Sequence, residues 1–152
     1  MAGGAGKPVM RVSAFWDSSA LVPLCVHQGI TPRVIALYKS HEVVVWWATP
    51  VEMASAIARL VRMRQLDSGD CAKSRKLAKS LEDSWSVIQP SDAVRTKAVQ
   101  LVDRYDLRAA DSLQLAAARV WCEDAPQGRI FLTTDHKLRE AALLSGFDAK
   151  QI

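Results

Sequence analysis

Four acidic residues stand at the starts of segments that read as helices: Asp17, Glu52, Asp111 and Asp135. Asp17 directly follows an apolar run, Arg11 to Trp16 (RVSAFW), and Glu52 lies five residues after a second, Val43 to Trp47 (VVVWW). Asp135 follows a third, Arg129 to Leu132 (RIFL), after two threonines; Asp111 lies in the first turn of an alanine-rich segment, Ala109 to Trp121. Singly, each has an ordinary explanation in helix capping. Thr49-Pro50-Val51-Glu52 has the form of a capping box, Asp111-x-x-Gln114 has the same shape, and Asp17 and Asp135 would serve as N-caps. Together they point to chemistry. Residues that follow parallel strands gather at the carboxyl edge of the sheet, where α/β folds bind ligands. Only Arg108 and Lys137 are basic close beside these acids. Converging carboxylates repel, and a divalent cation relieves that repulsion. Oxygen donors without a Cys or His cluster suit a hard ion, Mg²⁺ with Mn²⁺ able to substitute. Such an ion on carboxylates and water is suited to phosphate chemistry.

The elements that must position these acids alternate between strand and helix. After the first apolar run, Asp17-Ser18-Ser19 caps a helix that Pro23 should shorten or kink. Thr31-Pro32 opens a second helix to about Ser40, and Val43 to Trp47 is apolar on both faces, as a buried parallel strand requires. A long helix runs over 51–66 with Ala54, Ile57, Ala58 and Val61 at helical spacing. Asp67-Ser68-Gly69 breaks it, and a basic helix continues to about Asp83. Trp85 to Ile88 reads as a short strand, Pro90-Ser91-Asp92 caps a helix to about Tyr105, and Gly146 ends the last helix. This order predicts a three-layer α/β/α sandwich around a small parallel sheet of four or five strands.

Composition agrees with one domain. The chain has 152 residues, 49% hydrophobic and 24% charged, with a formal charge of +4. Residues 1–9 read as a flexible lead-in without an apolar secretory core, and 10–152 as a single domain. The longest stretch without charge, Ser18 to Pro32, is fifteen residues and broken by Pro23 and Gly29, too short for a membrane span. Three separated cysteines, Cys25, Cys71 and Cys122, fit neither a disulfide framework nor a zinc site, which places the expected home in the cytoplasm.

The ordered set Asp17-Ser18-Ser19-Ala20-Leu21-Val22, Thr49-x-x-Glu52, Arg108-x-x-Asp111-Ser112-Leu113 and Thr133-x-Asp135 resembles the PIN domain in its prokaryotic VapC-type toxin branch. The resemblance covers roughly Met10 to Ala149. It implies a metal-dependent ribonuclease, the toxin of a toxin–antitoxin pair, often dimeric, that cuts RNA at a Mg²⁺ or Mn²⁺ site. Carried over by position, Asp17, Glu52, Asp111 and Asp135 become the acidic metal-site residues, with Ser18 and Thr133 as the small polar residues beside them. An antitoxin would lay an apolar helix near 51–66 and place a basic residue in the acid pocket. The alternative is a catalytically inactive PIN fold that binds RNA or protein.

The basic excess is local. Between Arg59 and Lys79 seven basic residues (Arg59, Arg62, Arg64, Lys73, Arg75, Lys76, Lys79) face two acids (Asp67, Asp70), a net of +5, leaving −1 for the rest. Arg75 and Lys76 are the candidate substrate contacts of this strip. A metal-free route would need paired histidines, and His27, His41 and His136 show no pairing motif. Of five tryptophans, Trp47 is the candidate to face substrate; the others are expected in the core or an interface.

Overall fold

A computed structural model describes residues 11–152; the lead-in expected at 1–9 lies outside them. The described residues form four strands and seven helices in the order β1 (Val12–Trp16), α1 (Ser18–Cys25), α2 (Thr31–Ser40), β2 (His41–Trp46), α3 (Thr49–Arg62), α4 (Ser68–Glu82), β3 (Ser86–Ile88), α5 (Asp92–Arg104), α6 (Ala109–Trp121), β4 (Ile130–Leu132) and α7 (His136–Leu144). All pairings are parallel and the strand order is β3-β2-β1-β4. No described helix is long and apolar enough to cross a membrane.

Side-chain alternation divides the core. Phe15, Val44, Trp46 and Phe131 point to one face, where α5, α6 and α7 supply Val94, Leu101, Leu115 and Leu138. Their neighbours Ala14, Trp16, Val43, Val45 and Leu132 point to the other, against Leu21 of α1, Val34 of α2, Met53 of α3 and the apolar flank of α4. Strands buried on both faces must be apolar at every position, which is why these runs do not alternate with polar residues. Phe15 and Phe131 stack across the β1–β4 pair with ring centroids 5.4 Å apart.

The predicted three-layer sandwich is the one found, with four strands. Strand ends shift by a residue or two: β2 starts at His41, and Trp47 leaves it with its side chain 54% exposed. Trp16, Trp46 and Trp85 are buried as expected. The long helix ends at Arg62, four residues short of the expected end. Asp67 then caps α4, its side chain accepting from Asp70 N. Cys122 is buried, but Cys25 and Cys71 are only half-buried. Gly146 stops α7 with φ 104, a left-handed conformation that lets Phe147 N donate to Ala142 O at 3.0 Å.

Because every strand is parallel, all four carboxyl ends lie at one edge. Asp17, Glu52 and Asp135 follow three of them, and α6 brings Asp111 to the same place.

Candidate active site

Asp17 is the innermost acid, only 4% exposed. Its backbone N extends the β1–β4 ladder by donating to Leu132 O at 2.9 Å, so the sheet fixes where it sits. It occupies the N-cap position of α1 but accepts no capping bond. Its oxygens are held by hydroxyls instead. Ser19 Oγ donates to Oδ2 at 2.5 Å and Thr133 Oγ1 at 2.9 Å, while Ser18 Oγ donates to Oδ1 at 3.4 Å. Burial raises the Asp17 pKa, and the hydroxyls of Ser19 and Thr133, with the backbone of Ser19 and Ser18, oppose that shift. Ser18 and Thr133 are legible in the sequence as site residues; Ser19, the closest partner, is not singled out there. The Asp-Ser-Ser run contains the signal, since a hydroxyl two residues after an aspartate reaches back readily.

Glu52 is half-buried in the first turn of α3. The expected capping box is absent: the N-cap is Ala48, without a side-chain cap, and Thr49 is fully buried inside the helix. Glu52 Oε2 instead accepts from Gln114 Nε2 at 2.5 Å, and the same nitrogen donates to Thr49 Oγ1 at 3.1 Å. Burial pushes the Glu52 pKa up to about 7; the Gln114 bond opposes this, and the charges of Asp17 and Asp111 add to it.

Asp111 does not cap α6 either, whose N-cap is Arg108 with no side-chain bond. Burial first, then the charges of Asp135 and Asp17, push its pKa up to about 6, against the nearby Arg108. Asp135 alone does what helix capping predicts. It is the N-cap of α7, and its Oδ1 accepts from Leu138 N at 2.8 Å. Three of the four acids are therefore not accounted for by capping, and each of those three sits where burial disfavours its charge.

Asp111 and Asp135 open on a cleft of about 660 Å³ that Asp106, Arg108, His136 and Lys137 also line. Lys137 Nζ lies 2.7 Å from Asp106 Oδ2. The structure does not bring Arg75 and Lys76 to this cleft. They are exposed on α4, whose first half flanks Cys25, Val26 and His27 at the far end of α1. Nor do the histidines gather: His41 begins β2 and bonds Ser40 Oγ, His27 follows α1, and only His136 reaches the cleft.

Among the described residues no three His, Cys, Asp or Glu side chains are drawn close enough to hold a metal ion. The four acids nevertheless fit a hard cation in donor type and in charge. All donors are oxygens, and Asp17, Asp111, Asp135 and Glu52 act on one another electrostatically.

Solved structures share this arrangement of elements. VapC20 of Mycobacterium tuberculosis, described as a sarcin-ricin loop cleaving toxin, matches with a TM-score of 0.63 at 16% identity, over 85% of this chain and 95% of that one. The chain has the PIN-domain fold. FitAcB from Neisseria gonorrhoeae matches with a TM-score of 0.58 at 18% identity, covering 89% and 96%. A toxin–antitoxin complex from Klebsiella pneumoniae gives 0.58 at 15%, covering 82% and 88%. No protein-family model and no curated protein matches the sequence. At these identities the likeness is one of fold, and on this PIN fold the four acids take their places at the carboxyl edge.

The raised carboxyl pKa values give a pH test with a definite sign. Glu52 and Asp111 hold protons more tightly folded than unfolded between about pH 4 and 7, so unfolding free energy falls as pH rises through that window and levels above it. Asp106 and Asp124, held below their ordinary value, act at more acidic pH. In chelator-containing buffer the melting temperature is expected to be higher at pH 5 than at pH 8, and Glu52→Gln is expected to reduce the difference. A flat or rising wild-type profile contradicts the site electrostatics.

Proposed function

We propose that this chain is a metal-dependent ribonuclease that hydrolyses RNA phosphodiester bonds, and the toxin of a toxin–antitoxin pair. The supporting observation is the placement of Asp17, Glu52 and Asp111 at one sheet edge, in positions capping does not explain and burial penalises. Structural likeness to proteins named as toxins supports the biological half of the reading.

Asp17, Asp111, Asp135 and Glu52 are the residues that would hold Mg²⁺ or Mn²⁺. A bound ion of this kind activates water at neutral pH and neutralises charge on phosphoryl oxygens. The chain's own groups prepare the site. The three hydroxyls around Asp17 fix its carboxylate, Gln114 holds one oxygen of Glu52, and Asp135 keeps Oδ2 clear of its capping bond through Oδ1. Arg108 and Lys137 offer cations to substrate phosphates from the cleft wall. Trp47, exposed just before α3, offers a plane on which a base can stack.

The proposed antitoxin lays an apolar helix along α3, where Val51 is 67% exposed, and sets a basic residue into the acid cleft. We further propose a homodimer acting in the cytoplasm. One observation favours a second reading. The carboxylates are not drawn together around one point, as they would not be in a PIN fold that binds RNA without cutting it.

A cleavage assay separates the two. With a panel of RNAs and Mn²⁺, the wild type is expected to cut and leave 5′-phosphate and 3′-hydroxyl ends, EDTA to stop it, and Asp17→Asn to slow it by at least about a hundredfold. Equal cutting by both proteins, or RNA binding without cutting by either, overturns the nuclease reading.

The α4 strip is proposed as a distant phosphate-binding surface. Charge reversal at Arg75 and Lys76 is expected to weaken RNA binding and make its salt dependence shallower by about 0.7 in log–log slope for each phosphate no longer neutralised, with kcat unchanged. Unchanged affinity across salt concentrations makes the strip a solvent-facing surface only.

A further inference from the structure

Gln114 is a polar side chain in an apolar setting. It lies on α6 with no exposed surface, among the buried Leu115, Ala116, Ala117 and Ala118. Its amide nitrogen serves two acceptors on α3, Glu52 Oε2 and Thr49 Oγ1, more than sixty residues away in sequence. Its amide oxygen, Oε1, is buried with no partner among the described residues.

That orphaned oxygen is informative. A buried acceptor left unsatisfied is destabilising, and an apolar side chain of equal length would avoid it. With Glu52 ionised, turning the amide over would satisfy nothing better, because Oε1 would then face the carboxylate. The orientation found keeps the donor on the acid at the expense of the acceptor. Groups kept at a cost to stability are characteristic of functional sites.

Its place in the fold shows what the amide does. α3 packs on one face of the sheet and α6 on the other, so the Gln114–Glu52 bond joins the two helical layers across the carboxyl edge. Asp111 precedes Gln114 by three residues, about one turn of the same helix. The bond therefore ties Glu52 to the helix that carries Asp111. We propose that Gln114 is a positioning residue, whose amide fixes the Glu52 carboxylate relative to Asp111 and so sets the geometry in which the acids receive a divalent cation. This rests on the reading of the acids as a cation site.

The test uses the full chain and Gln114→Met, which keeps the reach of the side chain and removes both the donor and the orphaned acceptor. Three quantities are measured: melting temperature in chelator, Mn²⁺ affinity by calorimetry, and kcat and KM for RNA. The melting temperature is expected to stay within about 4 °C of wild type, because removal of the bond and removal of the orphan offset one another. Mn²⁺ affinity is expected to fall about 10–100-fold, with kcat falling similarly and KM within about twofold. Gln114→His, which keeps a ring N–H, is expected to recover at least about a third of the loss in log affinity. Wild-type Mn²⁺ affinity in a stably folded Gln114→Met overturns the proposal. So does a loss that accompanies a fall of more than about 10 °C in melting temperature and is not recovered by Gln114→His. If the wild type binds Mn²⁺ but cuts no RNA, the nuclease reading fails while the affinities still decide the role of Gln114. A wild type that binds no Mn²⁺ removes both.

Discussion

The burial of Asp17 is the constraint on which the rest of the site depends. A carboxylate almost without solvent, at the end of a central strand, is tolerable only if its oxygens are hydrogen-bonded and its charge is compensated. Hydroxyls meet the first condition. Ser18 and Ser19 come from the turn that follows β1, and Thr133 from the turn that follows β4. The β1–β4 pairing is therefore a requirement of the site as much as of the core, since it brings those turns together. Thr133 serves the neighbouring acid too: its Oγ1 accepts from Asp135 N at 3.0 Å, setting the backbone that makes Asp135 the cap of α7. The second condition, compensation of charge, is met by no basic residue bonded to Asp17 among the described residues. Its neighbours Glu52 and Asp111 are acids, and the charge of Asp17 makes each of them harder to ionise.

How the chain tolerates this follows from the distribution of stability. The sheet is apolar on both faces, and its two cores are made of close-packed aliphatic and aromatic side chains. The acids occupy the rim, where Asp135 is exposed and Glu52 and Asp111 are half-buried. The penalty of gathering them is thus confined to one edge and is relieved by protonation at low pH. A divalent cation would relieve it at neutral pH, in the ionised state that phosphate chemistry uses.

Much of this was legible in the sequence, for physical reasons. Continuous apolar runs such as VVVWW and RIFL mark strands buried on both sides, and the acids that follow them had to come to the same sheet edge once the strands were parallel. Ala109 to Trp121 has the helix limits read from its composition. The capping readings divide. Ser91 and Asp135 cap as expected, whereas Thr49 and Glu52 match a capping box in sequence but turn their side chains inward to Gln114. A capping box and a buried polar link have the same residue types at the same spacing. Only the tertiary partner, supplied from a distant helix on the opposite layer, distinguishes them. For the same reason Gln114 has the sequence signature of a second cap. The basic strip was legible as charge but not as position, because the turn at Met63 to Asp67 sends α4 across the far end of α1.

The central claim is that the four acids form one cation site. Crystals equilibrated with Mn²⁺ and recorded near the manganese absorption edge test it directly. The account predicts an anomalous peak at the carboxyl edge, bounded by Asp17 and Asp111, with Asp135 and Glu52 bound directly or through water. A map with no peak there, or with manganese only at other surfaces while the acids remain without an ion, contradicts it.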